Sequence, residues 1–317
     1  MPEKPYAVLL FGPTAVGKTA LLEKFWGEAA PKTGLPPAEI INADSVQVYR
    51  GLDIGSAKPA KEFQREIPHH LIDILEPREQ FTAGAFVKAA ETLIREILGR
   101  GRLPLVSGGT AFYFRNLVYG LPPAPPADEK IRARLEEECS RLGLAAMYDR
   151  LQGVDPLSAG RISANDRYRV LRALEVRETA GKPLSALPVP GEMRPDMNFL
   201  IIGLAREREE LRRRIDSRVD EMFRAGLAGE VKGLIRKGCK EGDPGMRGIG
   251  YREFFEALKD GCLRVKDIAE KIKTDSRRYA KRQLTFFKSL PNVRWLRPEA
   301  EKEIRELICE FLQKVSY

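Results

Sequence analysis

The sequence predicts an α/β fold: a parallel sheet flanked by helices, with an all-helical insertion and a helical C-terminal part. Three observations predict it. Short apolar runs alternate with amphipathic stretches over the first third of the chain, one of these runs feeds a glycine loop that opens a helix, and beyond a proline cluster charged helical periodicity replaces the strands. Strand, helix and strand in alternation call for parallel strands, because each connection must cross a face of the sheet.

The elements follow in order. Tyr6-Ala7-Val8-Leu9-Leu10-Phe11 is a continuous apolar run, as in a strand buried on both faces. Ala20 to Phe25 reads as a helix opening on Lys18-Thr19, and Glu39-Ile40-Ile41-Asn42-Ala43 as a second buried strand ending at Asp44. Between Ala85 and Leu98, residues Phe86, Ala89, Ala90, Leu93, Ile94 and Ile97 recur at helical spacing. Gly99 and Gly101 close that helix, and Leu103-Pro104-Leu105-Val106 returns as a strand. The cluster Gly120-Leu121-Pro122-Pro123-Ala124-Pro125-Pro126 reads as a stiff linker. Asp128 to Leu142 and Arg167 to Thr179 follow as charged amphipathic helices with no strand between them, and Lys182 to Asn198, with four prolines, is a second punctuation. Asn198 to Leu204 is again a buried strand, and from about Arg206 the chain reads as helical. The expected organisation is a core of residues 1–120 and 198–317 with residues 121–197 inserted as a helical domain.

Composition narrows the function classes. Of 317 residues, 43% are hydrophobic and 31% charged, the balance of a globular rather than a disordered chain. No apolar run approaches the ~18 residues of a membrane span, and the N-terminus lacks a signal-peptide layout, so a cytoplasmic protein without a membrane partner is expected. Cys139, Cys239, Cys262 and Cys309 lie far apart and the histidines are only His69 and His70, which argues against a zinc site or a disulfide framework. Both histidines read as structural. The net charge of +9 permits a polyanionic partner without requiring one.

The chemistry concentrates in a few segments. Gly12-Pro13-Thr14-Ala15-Val16-Gly17-Lys18-Thr19 fits G-x-x-x-x-G-K-[ST] between an expected strand and an expected helix, the context of a phosphate-binding loop in a P-loop NTPase-like sheet. Its backbone N–H groups would converge on phosphate oxygens, Lys18 would neutralise them and Thr19 would hold Mg²⁺. A nucleotide hydrolase carries an acid after a neighbouring strand to place that ion. Here the strand at Val106 runs into Ser107-Gly108-Gly109-Thr110, with no carboxylate. The acid at a strand end is Asp44, and the local sequence fits a general base, a metal ligand or a turn cap.

Two regions concentrate positive charge. Arg206, Arg208, Arg212, Arg213, Arg214 and Arg218 are interleaved with acids, which favours a solvated ion-pair face for most of them. Arg277 to Lys288 holds five basic residues and no acid, with Tyr279, Phe286 and Phe287 interleaved, a composition suited to a nucleic-acid backbone and exposed bases. Phe286 and Phe287 serve equally as core residues of such a helix.

Taken in order, these segments resemble those of the bacterial tRNA dimethylallyltransferases (tRNA isopentenyltransferases). The resemblance rests on Gly12 to Thr19, Asp44 to Tyr49 with Asp53 to Pro59, and Pro68 to Asp73. It continues through Gly108 to Thr110 with Tyr113, Asn165-Asp166 through Arg169 and Arg172 to Val176, Gly248 to Glu253, and Arg278 to Gln283. It implies prenylation of N6 of the adenine just 3′ of the anticodon, with dimethylallyl diphosphate and the tRNA anticodon stem-loop as partners and Mg²⁺ as cofactor. A monomer is expected. The catalytic residues it implies are Asp44 as base, Thr110 at the reaction centre, and Lys18 and Arg218 on the pyrophosphate. Pyrophosphate would sit on Gly12, Pro13, Thr14, Ala15, Val16, Gly17, Lys18 and Thr19, with the metal on Thr19. Asp44, Ser45, Val46, Gln47, Thr110, Arg132, Tyr168, Arg169, Arg172, Arg247, Gly250, Tyr251, Arg252, Lys281, Arg282, Gln283, Phe286 and Lys288 fall where the family touches tRNA.

Departures are few. Ser56 replaces a Thr, Phe286 a Trp, and Tyr168 a Gln, and the zinc finger of eukaryotic members is absent. A small-molecule or nucleotide kinase with a helical lid competes as a reading of the loop and insertion, and a non-enzymatic RNA-binding protein as a reading of the basic helix. Neither accounts for the whole ordered set.

Overall fold

A computed structural model describes residues 4–28, 34–125, 128–261 and 264–315; Met1 to Glu3, Pro126 and Cys262 lie outside them. The chain runs β1 (Tyr6–Phe11), α1 (Lys18–Trp26), β2 (Ala38–Ala43), α2 (Lys61–Glu66), β3 (His69–His70), α3 (Ala83–Gly99), β4 (Leu103–Gly108) and α4 (Ala111–Tyr119). It continues through α5 (Glu129–Leu142), α6 (Leu144–Val154), α7 (Pro156–Ala159), α8 (Arg167–Ala180), β5 (Asn198–Leu204), α9 (Arg208–Arg224) and α10 (Leu227–Arg236). The last elements are α11 (Arg252–Lys259), α12 (Val265–Phe287), β6 (Arg294–Leu296) and α13 (Glu301–Val315). Two compact units result, Met1–Val118 with Arg194–Tyr317, and Tyr119–Met193.

In the first unit the strands form one sheet in the order β3-β2-β4-β1-β5-β6, every neighbour parallel. The apolar runs read as doubly buried strands are that: β2 and β4 are buried along their whole length. Register fixes where the site forms. Gly108 pairs with Phe11 on one side and Ala43 on the other, so β1, β4 and β2 end level. The glycine loop, the turn after β4 and Asp44 therefore leave the same edge of the sheet, where open α/β sheets bind ligands.

Apolar side chains of β1, β2, β4 and β5 pack against α1, α9 and α13 through Leu21, Phe25, Ile215, Ile304 and Ile308. A second cluster joins Val48, Tyr49 and Leu52 to Val219, Val231, Tyr251, Phe254 and Ile272 from α9 to α12. The helical unit has its own core of Leu135, Cys139, Met147, Leu151, Val170 and Leu174. Its helices α5 and α8 start on capping aspartates: Asp128 accepts from Lys130 N and Ile131 N, and Asp166 from Arg169 N.

The structure differs from the sequence reading in two places. The C-terminal part is not wholly helical, because β6 adds an edge strand whose three residues are too few to show periodicity. Gly203 makes room for it: a Cβ there would lie 2.7 Å from the Trp295 ring. The two-residue β3 was likewise unmarked, and it places His70 against a buried acid. Glu39 is 3% exposed on β2. Its carboxylate accepts from Arg100 Nε (3.0 Å), Arg100 Nη2 (2.7 Å) and His70 Nε2 (2.6 Å). The Arg100 hydrogen bond, aided by His70, holds that carboxyl below its ordinary range despite burial.

Glu39→Gln is expected to lower unfolding free energy by roughly 1–3 kcal/mol at pH 7, since it replaces a buried carboxylate held by three donors with a neutral amide that has a single acceptor oxygen. Because the folded pKa lies below the unfolded one, this stability is present above the unfolded value and lost as pH falls through the folded value. Denaturant midpoints of the two proteins should converge below about pH 4; a gap that stays constant with pH would refute the assignment.

Candidate active site

The phosphate loop is set by two left-handed residues, Ala15 (φ 62°) and Gly17 (φ 112°). Such alternation turns successive N–H groups into an anion-binding concavity at the start of α1. Gly12 is required by crowding, since a Cβ there would lie 2.7 Å from Leu204 O. Two arginines brace the loop from α9 and its approach: Arg206 Nε donates to Val16 O at 2.7 Å and Arg214 Nε to Ala15 O at 2.9 Å. Lys18 Nζ donates to Gly12 O (2.9 Å) and Pro13 O (3.1 Å). Burial lowers its pKa to about 7, with the Arg218 charge adding and Asp44 opposing. A lysine so poised takes up its proton fully when an anion arrives.

Asp44 begins the turn after β2. Its Oδ1 accepts from Val46 N (2.9 Å) and Gln47 N (3.4 Å), so one oxygen is a turn cap. The other, Oδ2, has no hydrogen-bond partner among the described residues and lies 4.0 Å from an ideal Gly109 Cβ position. Thr110 locks this turn to β4: its N–H donates to Ala43 O (3.0 Å), and its Oγ1 accepts from Ser45 N (2.9 Å) while bonding Ser45 Oγ at 3.2 Å. Tyr279 of α12 brings its hydroxyl to Thr110 and Gln283, and burial pushes the phenol up to about 12, with the charge of Asp44 adding.

Lys18, Asp44, Tyr279 and Gln283 share one cavity of about 660 Å³, lined also by Thr19, Arg218, Arg282 and the apolar Leu22, Ile40 and Phe63. Burial lowers the pKa of Arg218, against the pull of Asp44. One carboxylate, two buried cations and a nest of amides thus face a common space, and burial makes charge interactions there stronger than in bulk water.

The residues assigned to tRNA divide. Lys281, Arg282 and Lys288 lie on the exposed face of α12 with Phe286 half-buried beside them, while Phe287 is core and stacks on Phe11 at 4.1 Å. Arg247 lines the cavity and donates to Gly242 O at 2.8 Å. Gln47 Nε2 is bonded to Ser56 O (3.1 Å) and Ala57 O (3.2 Å). Arg252 is ion-paired to Glu253 at 3.1 Å and Asp275 at 2.9 Å. Arg132, Tyr168, Arg169 and Arg172 belong to the helical unit. Tyr168 is 43% exposed with the Arg132 guanidinium 5.9 Å from its ring centroid. Arg169 is exposed, and Arg172 donates to Pro125 O at 2.6 Å.

Three of the residues assigned to tRNA are buried in this structure. Tyr251 is 0% exposed, with its hydroxyl donating to Glu230 at 2.8 Å and accepting from Ser56 N at 3.1 Å, so its ring cannot meet RNA in this structure. Gly250 is buried beside it, its N–H donating to Glu253 at 2.8 Å. Gln283 is 4% exposed and faces the phosphate loop instead of solvent. The motifs marked these positions without telling which way they face.

Sequence reasoning also missed several groups. Glu230 accepts from the N–H groups of Asp53 (3.1 Å), Ile54 (2.7 Å) and Gly55 (3.1 Å), fixing the loop that carries Ser56. Lys58, its side chain 3% exposed, bonds Tyr49 O at 3.0 Å and pairs with Asp53 and Asp73. Arg214 was hidden in a run that looked like a solvated face, and Glu230 carried no signal at all.

Comparison with known proteins gives this geometry its relatives. A family model described as IPP transferase matches residues 47–290. The chain is 42% identical over 294 residues to the tRNA dimethylallyltransferase of Geobacter sulfurreducens, covering 92% of each chain. It is 41% identical over 318 residues to that of Desulfatibacillum aliphaticivorans, covering 99% of this chain and 100% of the relative. Among solved structures it resembles the tRNA isopentenylpyrophosphate transferase of Bacillus halodurans, with TM-score 0.69, 36% identity, and coverage of 99% of this chain and 98% of that one. It also resembles a eukaryotic dimethylallyltransferase acting on tRNA, with TM-score 0.72, 25% identity, and coverage of 92% and 73%.

Tyr251→Phe is expected to cost about 1–3 kcal/mol of stability by stranding Ser56 N–H and removing one of the two hydrogen bonds to Glu230 Oε1. RNA affinity, measured on the folded fraction, should be unchanged. A weakening of RNA binding by tenfold with stability intact would return the ring to the RNA surface.

Proposed function

The chain belongs to the tRNA dimethylallyltransferase family of tRNA-prenylating transferases, and from that premise we propose that it moves the dimethylallyl group of dimethylallyl diphosphate onto N6 of the adenine 3′ to the anticodon. The observation that carries the proposal is the free Oδ2 of Asp44 in the same cavity as the phosphate loop, with no acid after β4.

The chemistry follows from charge. The exocyclic amine of adenine is a weak nucleophile because its lone pair is delocalised into the ring. Asp44, its Oδ1 anchored by two amides, accepts an N6 proton through Oδ2 as N6 attacks the allylic C1. The C1–O bond breaks as N6–C1 forms, and its electron pair leaves with pyrophosphate. Lys18, Arg218 and the loop amides receive that charge, in positions set before the reaction begins. No water is activated against a phosphorus atom, which accounts for the missing acid after Gly108.

Among the described residues no group of three or more His, Cys, Asp or Glu is placed to hold a metal ion. The Thr19 hydroxyl, which lines the cavity, would hold Mg²⁺, an ion that takes few protein oxygens beside water and substrate phosphates. When bound, the ion supplies further neutralisation of the leaving group. The target base must leave its stack to reach Asp44, so a flipped adenine is part of the proposal. The basic face of α12 and the cations of the helical unit supply the phosphate contacts, with the helical unit as clamp on the anticodon stem-loop. No helix among the described residues is long and apolar enough to cross a membrane, and action as a cytoplasmic monomer completes the reading.

The test incubates the protein with unmodified tRNA, Mg²⁺ and either labelled dimethylallyl diphosphate or γ-labelled ATP. Label from the prenyl donor should enter tRNA; transfer from ATP with none from the donor would make the protein a kinase. Asp44→Asn is expected to lower kcat by roughly 10²–10⁴-fold while tRNA binding holds. Loss of tRNA binding instead would make Asp44 an RNA anchor.

A further inference from the structure

We infer that Gln283 is a positioning residue that registers the phosphate loop against the turn after β4. The inference rests on the prenyl-transfer reading above and identifies a group that sets the distance between its two halves. Gln283 Oε1 accepts from Thr14 N at 3.0 Å, and its Nε2 donates to Gly109 O at 2.7 Å. One side chain thus bridges the loop that takes the leaving group and the turn that orients Asp44 through Thr110. The bridge is built on both sides. A Cβ at position 109 would lie 2.7 Å from Gln283 Nε2, so glycine leaves room for the amide. One helical turn further on, Phe287 stacks on Phe11, the last residue before the loop, at 4.1 Å and 4°.

Geometry makes the amide the right group. The two ends of the bridge are a donor, Thr14 N–H, and an acceptor, Gly109 C=O, and a primary amide is the neutral side chain that offers one acceptor and two donors. A carboxylate satisfies the first end and repels the second. A protonated carboxylic acid satisfies both. The same helix presents Lys281 to solvent on its other face, with the exposed Lys288 just past its C-terminal end. Displacing reacting atoms by about 1 Å costs on the order of 10²-fold in rate, so losing the bridge should appear in turnover rather than in RNA affinity.

The experiment uses the full chain with Gln283→Leu and Gln283→Glu, reading kcat, the KM for dimethylallyl diphosphate, the Kd for tRNA, and the Kd for inorganic pyrophosphate. The leucine variant should lose about 10²-fold in kcat and bind pyrophosphate more weakly, with tRNA Kd within about twofold. Gln283→Glu should be as impaired at pH 8 and recover relative to wild type as pH is lowered toward 6, because the protonated acid restores both hydrogen bonds. Asp44 and the Gly109 carbonyl both favour that protonation, while Arg282, Lys18, Arg218 and a hydrogen bond from the Tyr279 hydroxyl oppose it. Weakened tRNA binding with unchanged kcat, or no pH-dependent recovery, would overturn the inference. The pyrophosphate measurement needs no prenyl transfer. If wild-type protein fails to prenylate tRNA, the functional reading falls, and the bridge is still judged by whether Gln283→Leu weakens pyrophosphate.

Discussion

The site depends on how closely β2 and β4 approach at their ends. A Cβ on Gly108 would stand 2.2 Å from Ala43 O, so only glycine lets the strands finish in contact. That same carbonyl then receives Thr110 N–H, and Thr110 in turn holds Ser45. The orientation of Asp44 descends from this contact through three backbone groups. Because β1 ends in register with Gly108, the phosphate loop inherits the same datum.

Electrostatics then sorts the cavity into a giving end and a receiving end. Burial disfavours the charged forms of both Lys18 and Arg218, the Arg218 charge disfavours that of Lys18 further, and Asp44 relieves both. The cations are therefore stabilised most by an incoming anion, and pyrophosphate is such an anion. A site that holds its cations slightly short of counter-charge favours the state in which the bond to pyrophosphate has broken.

Much of this was legible in the sequence, for identifiable reasons. β1, the loop and α1 announce themselves because an apolar run, two glycines and a lysine have to occur in that order for the geometry to exist. Asp44 was legible by its place after an apolar strand, though the sequence could not say that one oxygen would cap the turn and the other stay free. Tyr251 and Gln283 were located without the direction in which they face. A motif records that a side chain matters, but whether it turns inward depends on what a distant helix offers, here Glu230 and the loop amide of Thr14. Arg214 escaped because its partner is a carbonyl 199 residues earlier, with no local trace. β3 and β6 escaped because two or three residues carry no period.

Glu230 holds three consecutive amides and the Tyr251 hydroxyl on one carboxylate. Such a joint tolerates no change of phase. Inserting or deleting one residue between Asp53 and Ser56 would carry at least one N–H away from the carboxylate and turn Ser56 out of its pocket. Gly55, whose Cβ position lies 2.6 Å from the Tyr251 ring, would lose its place as well. For anyone grafting a substrate-recognition loop onto this scaffold, the stretch from Asp53 to Ser56 is fixed in length, and variation has to enter where no single side chain counts the residues.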